Sequence, residues 1–546
     1  LTDKKTATKK IIFTLIPFLL AILIMLPRLS SAQFGFFDDA RMLQQSKAFL
    51  NGDFSMSHDL QAGRFRPVYW LYYTLIYALV GYHPFSFFIG NLFIFLLLLY
   101  QIKVICQQMG FMDWQTLITS LLFVLSMPII ENFYTLSKGE PLQLVFLLLS
   151  VILLGKLKAA KLKTNIILIF IASTITILFA IMVKETAIIM LPIAAIWTLY
   201  PYFTKDETLR KERSTYLVYS GSIALGILLY LSIRTSINAP SLVGGTYTNR
   251  YLSTISSYFE KILRWMTQLA FYFHYLIPLV LIFFLLLLLK KSFRKKEGVD
   301  LFRWAIWSLM WFAVLIPWEY AELYYLLPFA MGTAILIGLL SPKIIRKINK
   351  GNRFQTFSLV SLYSVTGLLF LLTIPNYFTD VRTQLTFDRM NNQMLAFIVK
   401  TTPTDGTVLI NLEINKEYSE RLELSLKVHH GLPEIEYGNI DYQRMDHVNK
   451  ETGAIILMPL IENQPRLSVR VGVKETFQTP WNNILLSQIS GNKKLLLSIN
   501  ENFYLSNVNL PILICPILGE KGFCEDPDPL FDTRLFRYGW EVYEIQ

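Results

Sequence analysis

The runs IIFTLIPFLLAILIMLP, residues 11–27, and IGNLFIFLLLLYQIKVIC, residues 89–106, leave this chain few ways to fold. Each comes close to, or reaches, the roughly 18 apolar residues that cross a bilayer as a helix. Further apolar segments are read at roughly 84–106, 115–131, 141–155, 165–183, 186–201, 215–233, 266–289, 301–318, 324–340 and 355–374, about eleven predicted helices in all. Composition agrees. The chain is 53% hydrophobic and only 16% charged, where a soluble protein carries about 25% charged residues. The reading is a polytopic α-helical membrane protein. Its net charge of +12 is explained by loops that fix orientation before any nucleic-acid role is needed.

Those loops set the direction. Lys4, Lys5, Lys9 and Lys10 precede the first span, which lacks a small-residue cleavage site and is read as a retained anchor. Lys156, Lys158, Lys161 and Lys163 follow the fourth span, Lys205, Arg210, Lys211 and Arg213 the sixth, Lys290 to Lys296 the eighth, and Lys343 to Arg353 the tenth. All fall on one side when the N-terminus is cytoplasmic. An odd number of spans then places residues 376–546 outside the cell, and the expected location of this multi-pass protein is the plasma (inner) membrane. The absence of any N-x-[ST] sequon leans toward a prokaryotic source.

The chain divides into a membrane domain, 1–375, and an extracytoplasmic α/β domain, 376–546. In the latter, GTVLINLE, GAIILMP, RLSVRVGV and RYGWEVYEIQ are strand-like, while EYSERLELSLKVHHGLP has helical spacing and a Gly stop. Cys106 lies in a predicted span, whereas Cys515 and Cys524 lie outside, where a disulfide can persist and is a candidate. No repeats are present.

The first outer loop holds the acidic pair Asp38 and Asp39 in FDDAR. ARMLQQSKAFLNGD after it suits a helix lying on the membrane surface. RPVYWLYYTLIYALVGYHP is apolar but short and bounded by Pro67 and Pro84, so a second interfacial helix is expected there. Glu131, Glu140, Lys138, Lys184, Glu185, Glu319 and Glu322 also fall at outer span ends. Ionisable groups near membrane depth cost about 2.5–3.5 kcal/mol each on insertion scales and tend to face a cavity or a partner. Any one of them alone reads as an interfacial anchor or a solvated turn. Together they point to a polar, outward-facing cavity.

These residues resemble the GT-C glycosyltransferases, membrane enzymes that take sugars from polyprenyl-phosphate carriers. FDDAR is similar to their first-loop acidic pair. RPVYWLYYTLIYALVGYHPFSFFIGN, MPIIENFYTLSKGEP, VKETAI and AELYYLLP resemble motifs of the transmembrane-and-TPR O-mannosyltransferases, the protein O-mannosyltransferase-like group and their bacterial relatives. The similarity spans roughly residues 10–340. Leu323 stands where that group has Arg, and no TPR periodicity follows, so neither mannose nor its acceptor carries over. A looser likeness to lipid A aminoarabinose transferases puts Phe65-Arg66-Pro67 at their Glu-Lys-Pro element.

The resemblance implies an inverting transfer of a sugar from a polyprenyl-phosphate donor to an acceptor hydroxyl on a glycan, lipid or protein, at the extracytoplasmic face. Such a reaction needs a base near the nucleophile and cations around the departing phosphate. Asp38, matching the first acid of the family motif, is the expected base and Asp39 the loop-orienting partner, with the roles interchangeable on sequence alone. Arg66, Lys184 and Arg64 are the donor-phosphate candidates, because guanidinium and ammonium groups suit that anion; snorkelling at the headgroups or a structural ion pair gives the same residues. Glu131, Glu140, Glu322 and His58 are candidates for the acceptor or for a divalent metal, Mg²⁺ or Mn²⁺, with His83 a weaker addition; the spacing neither requires nor excludes a metal. A transporter or lipid flippase is the rival class, but midmembrane charges and inverted repeats are missing from the sequence. A non-catalytic membrane scaffold ranks third.

Overall fold

A computed structural model describes residues 2–35, 38–203, 212–237, 296–318, 322–348 and 353–401, with scattered positions between 258 and 276. Beyond these it describes 407–411, 424–428, 436–440, 455–462, 492–504, 507–508 and 531–546. The expected span at 266–289 falls largely outside these residues, as do Glu319, Cys515, Cys524, the strand-like run 466–473 and the side chain of His58.

The chain is a multi-pass helical membrane protein with a small C-terminal sheet. Helix α1 (Thr2–Ser30) leads to α2 (Asp39–Leu50), α3 (Ser57–Gln61) and α4 (Pro67–Val80). Then come α5 (Pro84–Gln108), α6 (Asp113–Val124), α7 (Pro128–Phe133), α8 (Glu140–Ala159), α9 (Lys163–Val183), α10 (Met190–Phe203) and α11 (Arg213–Ser236). After these follow α12 (Lys296–Ala313), α13 (Leu327–Ile348), α14 (Arg353–Leu371) and α15 (Ile374–Thr401). Among the described residues, six segments are long and apolar enough to cross a membrane: Ile12–Ser30, Pro84–Gln108, Glu140–Ala159, Lys163–Val183, Arg213–Ser236 and Leu323–Ser341. Along α1, Ile12, Leu15, Leu19, Leu23 and Leu26 are exposed at three- and four-residue spacing, a stripe suited to lipid.

Both surface helices form where the sequence places them. Asn51 caps α2 and Gly52 turns the chain away with φ +83°, while Gly81 ends α4 with φ +64°; a left-handed backbone of this kind suits glycine. At 14 residues α4 is shorter than a span.

Three expected spans are broken at one end. The segment 115–131 divides into α6 and α7 at Leu125–Met127, and Pro128 opens α7 at a first-turn position where its missing N–H costs no bond. A 3₁₀ turn, Glu185–Ile189, precedes α10, and another, Leu323–Leu326, opens the span that continues into α13. Side chains satisfy this irregular backbone. Asn132 Nδ2 donates to Tyr324 O at 3.0 Å, Asn91 Nδ2 to Phe133 O and Thr135 O at 3.3 Å each, and Gln143 Nε2 to Lys184 O at 2.6 Å. Irregular backbone at membrane depth is tolerated where it is buried in protein or lines a cavity.

The α8–α9 hairpin separates two ends of the bundle. At its turn, Lys158 pairs with Glu212 at 3.1 Å, and Arg303 reaches Asp300 at 3.0 Å. At the opposite end Glu140 opens α8 and Lys184 follows α9. Among the described residues, the basic α8–α9 turn around Lys158 and the broken helix ends therefore lie on opposite sides.

The sheet runs β2-β1-β3-β7-β4, from β1 (Thr407–Asn411), β2 (Glu436–Ile440), β3 (Ile455–Glu462), β4 (Lys493–Tyr504) and β7 (Leu535–Ile545). Strands β1, β2 and β3 are mutually parallel, while β7 is antiparallel to β3 and β4. A separate pair joins β5 (Asn507–Val508) to β6 (Phe531–Asp532). Alternate residues Phe536, Tyr538, Trp540 and Val542 of β7 are buried in a core with Phe387, Met390, Met394, Leu395 and Ile398 of α15. The first half of α15 lies instead against the membrane helices, through Tyr377, Val381 and Leu385. One helix thus crosses the boundary drawn at 375/376.

Candidate functional site

The acidic pair splits by environment. Asp38 stands at the N-cap of α2, half-buried, whereas Asp39 in the first turn is 3% exposed. Gly35 N donates to Asp39 Oδ2 at 2.6 Å. Burial pushes the Asp39 carboxyl up from 3.8 to about 7; the Gly35 bond and Arg28 oppose the rise, and Asp388 and Asp38 add to it. Arg28, from the end of α1, bonds Asp388 Oδ2 of α15 at 2.7 Å and lies 4.1 Å from the Phe88 ring centroid. Asp39 is therefore the anchored member of the pair, and Asp38 the one with access to solvent.

The cationic groups form a second cluster. Arg66 grips Asp59 with a fork, Nε to Oδ2 at 3.0 Å and Nη2 to Oδ1 at 2.7 Å. Arg64 Nη2 meets Asp59 Oδ1 at 3.2 Å, and Trp70 Nε1 donates to Oδ2 at 2.6 Å. Burial alone would raise the Asp59 carboxyl, but the two guanidinium groups outweigh it and hold it below the usual range. Two guanidinium groups share this one carboxylate, and Glu185 also acts on Arg66. The Arg66 guanidinium also sits 4.7 Å from the Tyr69 ring centroid, a cation–π contact.

Lys184 behaves differently. Its ammonium is bonded to Glu140, not to neighbouring Glu185, and it lies 4.1 Å over the Tyr325 ring. That pair is neutral. Glu185 Oε1 instead accepts from Phe65 N at 2.8 Å and Tyr230 OH at 3.3 Å, fixing the backbone just before Arg66. Lys138 Nζ stands 3.9 Å over the Tyr324 ring.

Tyr69 joins the clusters. Its hydroxyl donates to Ser137 O at 2.8 Å, and its ring packs at Gly139, where an added Cβ would lie 3.6 Å away. Its hydroxyl feels Arg66, Asp38, Asp59 and Asp39 together. Ser137 has φ +59°, a strained conformation for a residue other than glycine. The loop 134–139 thus packs between the acidic pair's helix bundle and the Lys184 turn.

The structure brings Asp38, Asp39, Arg64, Arg66, Lys184 and Glu140 to one end of the bundle. Glu131 is there too, its Oε2 accepting Tyr324 N at 2.6 Å, and Glu322 caps the turn that follows. As metal ligands these carboxylates fit poorly, because Glu131 holds a backbone N–H and Glu140 holds an ammonium. Among the described residues no three His, Cys, Asp or Glu side chains converge. Sequence reasoning missed Asp59, Arg28 and Asp388. Asp59 stands seven residues before Arg66 in SHDLQAGRFRP, a local signal that was available; Asp388, far along the chain, gave none.

The chain is similar to ArnT from Cupriavidus metallidurans, bound to undecaprenyl phosphate, at 10% identity and TM-score 0.47 over 88% of this chain and 96% of that one. The apo state of the same protein gives 11% and 0.47 over 90% and 96%. An oligosaccharyltransferase from Archaeoglobus fulgidus, tethered to an acceptor peptide containing the NVT sequon, gives 11% and 0.48 over 79% of this chain and 64% of that one. No protein-family model and no curated protein matches the sequence.

Proposed function

We propose that the chain is a GT-C-type membrane glycosyltransferase that moves a sugar from a polyprenyl-phosphate carrier to an acceptor hydroxyl, with inversion, on the extracytoplasmic face. The observation that carries this is placement. The acidic pair and the Arg64–Arg66–Asp59 cluster share the bundle end opposite the α8–α9 turn, which carries Lys156, Lys158, Lys161 and Lys163, and short loops rich in lysine are held in the cytoplasm.

The chemistry follows from the charges. The acceptor oxygen attacks the anomeric carbon while its proton passes to the Asp38 carboxylate. The bond from that carbon to the phosphate oxygen breaks, and the electron pair leaves with the polyprenyl phosphate. Arg66 and Arg64, positioned by Asp59, meet the charge that develops there. Asp39, buried and bonded to Gly35 N, keeps the loop that carries Asp38 in place. The membrane places the carrier's phosphate beside interfacial α4, whose first turn follows Arg66.

Purified protein in nanodiscs, incubated with a panel of polyprenyl-phosphate hexoses and pentoses, tests the assignment through release of free sugar and polyprenyl phosphate. Slow hydrolysis of at least one donor is expected. Absence of both hydrolysis and binding across the whole panel would contradict it.

A further inference from the structure

Helix α15 makes polar contacts on two sides at one level. Asp388 and Asn392, four residues apart on one face, turn toward the first loop. Asp388 bonds Arg28 at 2.7 Å, and Asn392 Nδ2 donates to Phe34 O at 3.0 Å. A Cβ at Gly35 would sit 3.6 Å from Asp388 Oδ1 and 3.2 Å from Asp39 Oδ2, so that loop is closely packed between α15 and α2. Gln384 Nε2 braces Asp388 at 3.3 Å from either oxygen. Asn391, about 100° around the helix from Asn392, turns to the sheet. Its Oδ1 accepts both Tyr538 OH and Trp540 Nε1 at 2.9 Å. Asn376, at the start of the helix, pairs its amide with the Val508 backbone at 2.7 and 3.3 Å.

We infer that α15 is a strut through which the C-terminal sheet sets the geometry of the acidic loop, with Asp388 and Asn392 as positioning residues for Asp38 and Asp39. The sheet then serves the site by holding one end of the strut, beyond any part in recruiting an acceptor. This rests on the reading of Asp38 and Asp39 as the pair that serves transfer. Neither Asp388 nor Asn392 touches the reacting atoms; Asn392 acts through Phe34 O, and Asp388 through Arg28 and its packing at Gly35. The same contacts explain why a wholly buried arginine ends α1: Arg28 is the third element held by the strut, and it also donates to Gln33 O at 3.1 Å.

Hydrogen–deuterium exchange on the full chain in nanodiscs tests the strut without any donor. Asn392→Ala removes the bond to Phe34 O, together with one to Asp388 O within α15, from a half-buried residue and should raise exchange of amides 34–43 about fivefold. Asp388→Asn should raise it further. Asn391→Ala, which changes only the sheet side, should raise exchange in the same segment and leave α8 and α9 at parent rates. With a polyprenyl-phosphate sugar as substrate, Asn392→Ala should lower kcat severalfold at unchanged KM for the donor. Parent-like exchange of 34–43 in both Asn392→Ala and Asn391→Ala would overturn the strut, as would a kcat loss matched by a loss of fold throughout the bundle. If the parent turns over no donor, the exchange measurement still decides the strut, and only the proposed function is affected.

Discussion

Arg66 offers the sharpest test of the cationic half of the site. Its side chain combines a fork onto Asp59 with a ring contact at 4.7 Å to Tyr69. Arg66→Gln removes one of the two guanidinium groups that share Asp59 and leaves Arg64 paired with that carboxylate one to one. A unit charge 4 Å from a phosphate is worth about 4 kcal/mol at an effective dielectric near 20. Side-chain mobility and competition from Asp59 reduce this to on the order of 1.5–3 kcal/mol, the range of charge-assisted hydrogen bonds, or about 10- to 150-fold in affinity. Arg66→Lys keeps the charge but loses the fork, so it should weaken binding by less than about tenfold and lower stability by about 1–2 kcal/mol. The assay is binding of polyprenyl phosphate, without sugar, to protein in nanodiscs, followed alongside thermal unfolding. Parent-like affinity in Arg66→Gln, with the fold intact, would refute the phosphate assignment.

Two further predictions concern protonation and pairing. Asp39 is held at about 7 rather than 3.8 by burial, so the folded protein binds its proton more tightly than the unfolded chain. Its contribution therefore favours the fold at low pH and is lost as pH rises from about 4 to about 7. Asp39→Asn should flatten the fall in melting temperature across that window, and a slope unchanged from the parent would contradict the buried placement. Glu140→Gln leaves the Lys184 ammonium, side chain 17% exposed, without its carboxylate. It should cost about 3–5 kcal/mol, whereas Glu140→Leu with Lys184→Met should cost markedly less. Thermal melts of the three proteins decide this, and equal losses in single and double variants would count against the pair.

What the sequence reveals depends on how local the signal is. The surface helices in the first loop were legible because Gly52 and Gly81, together with Pro67 and Pro84, mark their ends within a few residues. Strands β1, β3 and β7 were legible from short runs of β-prone residues, while β2 and β4, mixing Glu, Asn and Lys with apolar residues, were not. Helix α15 escaped notice because its buried face is largely polar: Asn376, Asp380, Gln384, Asp388 and Asn391 are all buried. Neither a membrane span nor an amphipathic helix has that pattern. The charged residues gathered at this end of the bundle are marked in the sequence by type and by position near span ends. Their partners are not, since Lys184 pairs with Glu140 across 44 residues and Arg28 with Asp388 across 360. Pairings of that range are set by helix packing, which leaves no trace in spacing. The break at Pro128 lay in plain view, but a proline near the end of an apolar run is compatible with a continuous span as well as with the observed turn.

The most direct measurement is turnover by Asp38→Asn on whichever polyprenyl-phosphate sugar the parent accepts, with binding of that donor measured beside it. If Asp38 takes the acceptor's proton, kcat falls by about 10²- to 10⁴-fold, and donor affinity stays within a few-fold of the parent. A variant that binds the donor normally and transfers it at the parent rate would remove the acidic pair from the chemistry.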